Sequence, residues 1–444
     1  MDNETEGYKE LQKLPFSVYL VGALTQFAVG SYQPFLQAYM IKMGASLGEL
    51  GAFRSVGNAA PAVLQPAWGA TSDRIGHAKA FVAFGTFTGL MIVILFRWAQ
   101  APIDMIILYA ISSILFSIQI PTWQSLIGGL MSEENRGDEL GKLSMVTSTT
   151  SLVATLLAGF IASLPAILPT LRAAFGNFGY ILFPIGHEPR SSYYILFYMT
   201  AIVGIAAALL TLAIRERPRD DAKKREFPPV LKLLSQPGMF RRFCFISVFF
   251  SFAMSMAWPY FMVVQVEWLN NTDLQIAIAS AVMTATTLIF TIPMSRLSDR
   301  VGRKPLILVG RGFLFTVPIM YAFATHVYFI YIANALAGFS VATSFNSITA
   351  YIYDIRGSHL AVVNTFSGLV YFCGSLFAGF MGDAIQMILN RHSAVFIMLI
   401  ASGVLRLMAS FLYTLIKEPR VYTSNMRKEI RNLILRMKLD KDID

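Results

Sequence analysis

Gly69-Ala70-Thr71-Ser72-Asp73-Arg74-Ile75-Gly76 is answered 226 positions later by Ser295-Arg296-Leu297-Ser298-Asp299-Arg300-Val301-Gly302-Arg303-Lys304. Each stretch ends a long apolar block and opens a short polar loop. They mark one point in two copies of a unit. Two further landmarks recur: Arg136-Gly137 with Arg356-Gly357 at an offset of 220, and Ile214-Arg215-Glu216 with Ile416-Lys417-Glu418 at 202. The last drop of 18 equals the difference between an expected loop at 165–190, about 26 residues, and its counterpart at 385–392, about 8. Paired landmarks and one insertion of matching size argue for duplication.

Between these landmarks the chain is 55% hydrophobic and 14% charged, against roughly 25% charged in soluble domains. Blocks of about twenty apolar residues are long enough to cross a hydrocarbon core of roughly 30 Å as helices. Twelve spans are expected: 16–40, 47–71, 80–98, 104–128, 142–164, 191–214, 242–267, 274–296, 305–324, 327–350, 360–384 and 393–416. The predicted fold is an all-α membrane protein of two pseudo-symmetric six-helix bundles. Its parts are a cytosolic N-terminal segment (1–15), bundles at 16–214 and 242–416, a charged central linker (215–241) and a basic tail (417–444).

Twelve spans put both termini on one side. Of 36 Lys and Arg, all but Lys42, Arg54, Arg97, Arg172, Arg190, Arg391 and the intraspan Arg311 and Arg406 fall on that side. The positive-inside rule makes it cytosolic, in a plasma or inner membrane. The net charge of +10 then needs no nucleic acid, and anionic lipid is the expected surface partner. The acidic start lacks the basic region and cleavage site of a signal peptide, so span 1 is expected to be an uncleaved anchor. Cys244 and Cys373 lie within spans and predict no disulfide framework. Residues 426–441 read as an amphipathic helix lying on the membrane surface. No metal-ligand spacing, cofactor loop or nucleophile constellation occurs, so an enzyme is not expected.

The two signature loops resemble those of the major facilitator superfamily, Gly-x-x-x-Asp-Arg-x-Gly-x-Arg-Lys after helices 2 and 8. The first copy matches at Gly69, Asp73, Arg74 and Gly76, with Lys79 displaced; the second matches at Asp299, Arg300, Gly302, Arg303 and Lys304, with Ser295 for the leading Gly. Glu134-Asn135-Arg136-Gly137 resembles the helix 4 exit. The resemblance implies a monomeric transporter that exposes a central site alternately to each side. It also implies a cytosolic latch of Gly69, Asp73, Arg74, Gly76, Glu134, Arg136, Asp299, Arg300, Gly302 and Arg303. In it, small residues let helices approach, and Asp73 and Asp299 meet helix N-termini of the opposite half.

In that fold spans 1, 4, 7 and 10 line the cavity. Span 1 carries Gln26, Gln33 and Gln37 at helical spacing; span 4 carries Ser112, Phe116, Gln119 and Trp123. Span 7 has Ser247, Ser251, Ser255, Trp258, Met262 and Gln265, and span 10 has Asn334, Thr343, Ser344 and Asn346. Polar groups inside a bilayer are costly unless paired or wet. Gln26, Gln33, Gln119, Trp123, Trp258, Asn334 and Asn346 are therefore the candidate substrate contacts. No acid lies near a span centre. Arg54, near the outer interface, is expected either to snorkel or to serve as a residue of the cavity mouth, and Arg311 and Arg406 to be structural, with their charges paired or reaching the cytosolic interface. The pattern favours a neutral or amphipathic small molecule. Proton-coupled efflux of hydrophobic compounds is a second reading, weakened by the missing Gly-Pro run in span 5. A non-transporting sensor or lipid-handling protein is a third.

Overall fold

The structure is a computed structural model that describes residues 14–131, 136–175, 191–216, 238–356 and 360–419. Twelve rods follow in order. α1 runs from Phe16–Tyr32 through a tight turn at Gln33–Phe35 into Leu36–Lys42, and α2 is Leu47–Ile75. The others are α3 (Ala78–Trp98), α4 (Pro102–Leu130), α5 (Asp138–Leu164), α6 (Ser192–Leu212), α7 (Met239–Trp268), α8 (Asp273–Val301), α9 (Arg303–Ala322), α10 (Val327–Ile355), α11 (Val363–Ile388) and α12 (Arg391–Leu415). These ten are long and apolar enough to span a bilayer. α1 is interrupted at Pro34, and α2 is the more polar rod, carrying Glu49, Arg54, Asp73 and Arg74.

The Leu14 N–H donates to Glu139 at the start of α5, Arg242 at the start of α7 donates to Leu415 O, and Tyr351 Oη donates to Lys417 O. Both described ends therefore lie on one face, the basal face, with the loops after α2 and α8. The opposite face is distal. α5 continues as helix to Phe175, so the expected loop at 165–190 begins as an extension of the rod. Residues 217–237, most of the linker, and 420–444, where the tail helix was expected, lie outside the described residues, as do 1–13.

Duplication recurs at atomic detail. Ser46 and Thr272, 226 apart, cap α2 and α8, each in a reciprocal box with Glu49 or Gln275. Such caps are typically worth about 1 kcal/mol. Glu216 accepts from the Ala78 N–H at the start of α3, and Glu418 accepts from the Lys304 N–H at the start of α9. The third sequence landmark thus closes an otherwise open helix start in each half. Gly76 and Gly302 end α2 and α8 at φ 76° and 106°, donating to Ser72 O and Ser298 O. The Gly302 geometry, φ 106° and ψ 163°, suits glycine alone. Gly302→Ala is expected to cost about 1–3 kcal/mol and to lower the melting temperature in detergent. An unchanged melt would show that this turn accepts a side chain.

Pro34 and Pro259 interrupt α1 and α7 at equivalent depths. A proline lacks the N–H that would bond to the carbonyl four residues earlier, here Gly30 O and Ser255 O. Thr155 of α5 donates its hydroxyl to the first at 3.0 Å, and Ser375 of α11 to the second at 3.2 Å. In hydrocarbon an orphan carbonyl is costly, and a neighbouring hydroxyl removes the penalty. Both halves use it at positions 220 apart.

Candidate functional site

The two halves meet at the distal face through one closure built twice. Asp383 at the end of α11 accepts from the Leu47 and Gly48 N–H groups at the start of α2, at 3.0 and 2.9 Å. The Ser163 hydroxyl at the end of α5 accepts from the Leu274 N–H at the start of α8, at 2.7 Å. One turn deeper, a Cβ on Gly51 would lie 2.6 Å from Gly379 Cα and from Ser375 O, and a Cβ on Gly159 would overlap the Ala277 side chain. These are close helix contacts between the halves, where a side chain on either glycine would collide with the facing helix. Above them Lys42 pairs with Asp273 at 2.8 Å, and the Tyr193 hydroxyl donates to the same carboxylate. Arg391 bridges Glu267 and Ala45 O. Sequence reading missed the ion pair because its members lie 231 residues apart.

Beneath this seal, Gln37 Nε2 donates to Pro259 O at 2.6 Å and contacts Trp258 O at 3.4 Å, while its Oε1 accepts from Arg54 Nε at 2.8 Å. Arg54 therefore turns inward between the halves and does not snorkel. The amide of Gln37 offers it a closer partner than the interface does. The Trp258 ring rests on Tyr371, centroids 4.8 Å apart. Gln26 and Gln33 are exposed and share the helical face of Gln37. Gly22 and Gly30 on that side touch α4 and α5, and the Gln33–Phe35 turn packs against α8. This face of α1 thus looks along the gap between the halves, with Gln37 at its sealed end.

Other candidates sit differently. Ser112 donates to Gly89 O, Phe116 covers Gly89, and Gln119 is buried with its backbone against Gly85. The span 4 stripe therefore faces α3, and Gln119 leaves the substrate-contacting set. Trp123 is half-buried beside Gly22 of α1, packed on an apolar cluster. Asn334 donates to Tyr321 Oη at 2.8 Å and to Ile330 O; its amide serves the α9–α10 contact. Asn346 is half-buried. Ser247 bonds to Tyr413 of α12, and the Ser255 backbone bonds to α11, so these hydroxyls mark packing. Helices in a bundle have neighbours on several sides, and a polar stripe alone does not say which one it meets.

At the basal face, Arg303 pairs with Asp299 at 2.5 Å and with Asp354 of α10 at 3.4 Å, and contacts Ser298 Oγ at 3.2 Å. The Asp299 side chain is 63% exposed and bonded within its own half, whereas the resemblance implied a reach to the start of α5. Among the described residues Gly69 faces Pro121 of its own half, at an ordinary 3.5 Å. The close approach expected of it occurs instead at Gly51 and Gly159. Arg74 and Arg300 are exposed. Glu134 and the side chains of Asp73 and Arg136 lie outside the described residues.

Arg311 and Arg406 depart from expectation, since among the described residues no carboxylate pairs with either. Arg406 is 2% exposed and donates to Leu314 O and Met254 O. Arg311 lies 4.4 Å over the Phe250 ring and touches Met254 Sδ at 3.8 Å. Among the described residues no group of three or more His, Cys, Asp or Glu could hold a metal ion, and both cysteines are free thiols.

The sequence profile of the Major Facilitator Superfamily matches residues 18–267 and 243–439. The chain belongs to this superfamily. An uncharacterized MFS-type transporter of Methanocaldococcus jannaschii is 23% identical over 401 residues, 86% of this chain and 91% of that protein. Among solved structures, a variant of the nucleoside transporter NupG superposes with a TM-score of 0.69 at 12% identity, covering 91% of this chain and 99% of that one. A bacterial homologue of the human lysosomal transporter Spinster, inward-facing and occupied, gives 0.68 at 16%, covering 90% and 95%. A D-xylose–proton symporter gives 0.64 at 14%, covering 91% and 98%. At these identities the likeness is one of fold. As an MFS transporter the chain is a multi-span membrane protein of two six-helix halves.

Proposed function

We propose that this MFS protein moves a small amphipathic solute across the membrane by alternating access, with the basal face cytosolic and the distal face sealed in the conformation described. The doubled distal closure carries this reading. Glycine crossings and backbone caps hold α2 to α11 and α5 to α8 at one end, while at the other Asp299 bonds within its own half. A rocking motion would exchange the two arrangements, opening the glycine crossings and carrying Asp73 and Asp299 to the opposite half. The inward-facing Spinster homologue of similar fold supports placing the opening on the cytosolic side. Both halves of the chamber come from one chain, so a monomer suffices, and anionic headgroups suit the basic face.

The expectation of a neutral solute loses its footing. It rested on a chamber without basic side chains, whereas Arg54 is bonded to Gln37 there. Gln26, Gln33, Gln37, Arg54, Trp258 and Tyr371 are the side chains assigned to solute contact.

The test is solute flux in proteoliposomes with the Asp73→Asn, Asp299→Asn double variant. Flux should fall at least roughly tenfold, in line with losing about 1.4 kcal/mol or more from one conformation, with insertion unchanged. Wild-type flux in the double variant would refute the latch. Imposing a pH gradient separates facilitated movement from proton-coupled efflux, and binding without flux would point to a sensor.

A further inference from the structure

Two guanidinium groups lie together inside the C-terminal half with no counter-charge among the described residues. Arg311 is 8 residues from the start of α9 and Arg406 is 9 from the end of α12, which places both roughly 12–14 Å from the basal ends of their rods. Both touch Met254 of α7, and the Ser410 hydroxyl contacts the backbone carbonyls of both. Each keeps a buried Nε–H without an acceptor among the described residues. An unpaired cation at this depth is expensive, and a second beside it compounds the cost.

The N-terminal half is built on the same plan without these cations. The repeat offsets of 226 and 202 place Gly85 and Gly204 at the equivalent positions of the N-terminal half, where each glycine lets a neighbouring helix pack closely. At these two positions the C-terminal half carries an arginine where its twin carries a glycine, and the two arginines meet in space. Their surroundings are apolar and aromatic. Phe250 lies under Arg311, and the Phe261 ring is 5.8 Å from Arg406. Tyr371 is within electrostatic reach of Arg406 and stacks on Trp258, whose carbonyl meets Gln37. One tyrosine thus neighbours both the pair and Trp258.

We propose that Arg311 and Arg406 form an anion-binding site that takes the carboxylate of a small amphipathic organic anion, with Phe261 and Met254 receiving its apolar body. Guanidinium forks match a carboxylate geometrically, and the two free Nε–H groups are donors awaiting such an acceptor. This deepens the transport reading by naming the solute class. It is tested by equilibrium binding, which fails or succeeds independently of flux.

The experiment is thermal unfolding of the purified full-length protein in neutral detergent against concentration series of benzoate, benzamide, sodium chloride and sodium sulfate at constant ionic strength. Benzoate should raise the unfolding temperature saturably, and benzamide, of the same shape without the charge, should not. Arg406 also ties two backbone carbonyls and its loss threatens folding, so Arg311 carries the mutational test. Arg311→Gln should weaken benzoate by roughly tenfold or more, as expected for losing a charge-assisted contact; Arg311→Lys should retain part of the affinity. Equal shifts from benzoate and benzamide, or unchanged affinity in Arg311→Gln, would overturn the site. Chloride or sulfate matching benzoate would overturn the organic class and leave an inorganic-anion site.

Discussion

Gly379→Leu is expected to reduce transport to background while leaving insertion intact. Any side chain at this position meets backbone: its Cβ would lie 2.8 Å from Gly51 Cα and from Leu47 O. Backbone cannot rotate away as a side chain can, so the cost falls on closure itself. Overpacking commonly costs about 1–3 kcal/mol and occasionally more, and about 3 kcal/mol already depletes the closed conformation more than a hundredfold. The conformation open at the distal face has these helices apart and is spared. Gly159→Leu, the equivalent change in the other half, should act alike, because its Cβ overlaps Ala277. Gly312→Ala serves as control, since nothing lies within 4 Å of its added Cβ. Spin labels on Gln100→Cys and His326→Cys, in a background without the two native cysteines, report the distal separation. Longer distances and lost flux together are the expected result. A Gly379→Leu protein with wild-type flux and unchanged distances would show that distal sealing at this crossing is not part of the cycle.

Asp273→Asn should also favour the distally open conformation, by a different force. In the sealed state the carboxylate is 7% exposed and answers Lys42 and Tyr193. Removing it leaves an ammonium facing a neutral amide. A fully buried broken pair costs about 3–5 kcal/mol. Lys42 is 28% exposed and keeps some hydration, so about 1–3 kcal/mol is a fairer expectation after discounting for solvent, or roughly ten- to hundredfold in population. Replacing both partners, Lys42→Met with Asp273→Asn, removes the stranded charge and should recover most of the closure, because a buried pair exchanged for neutral groups is often nearly cost-free. The same labelled distances read the result. A double variant as disabled as the single one would mean that the carboxylate acts through Tyr193 or the helix start and not through the ion pair.

The sequence carried the frame of this molecule because the frame is written in local, one-dimensional terms. Apolar block length, the charge asymmetry of the loops and the offsets of 226, 220 and 202 do not depend on which helix lies beside which. The same offsets, applied to the structure, pair Asp383 with Ser163, Gly379 with Gly159, Ser375 with Thr155 and Glu418 with Glu216, correspondences that the composition of either half alone does not reveal. Gln26, Gln33 and Gln37 were legible as a stripe, since three amides on one face of a rod are unusual in hydrocarbon.

The direction a polar side chain takes within the bundle was not legible. Ser112, Gln119, Asn334 and Ser247 carry the same chemistry as the α1 glutamines yet meet neighbouring helices, because helix rotation and packing partner are set by the whole interlock of side chains. Arg54 turned inward because an amide from another rod was nearer than the interface, and Lys42 found Asp273 across 231 residues. The chain by itself thus determined a duplicated twelve-span protein with its basic loops on one face. Tertiary packing decided which face is sealed, which polar groups look into the gap, and that two arginines from distant spans stand side by side, since each depends on distances between segments that no local pattern encodes.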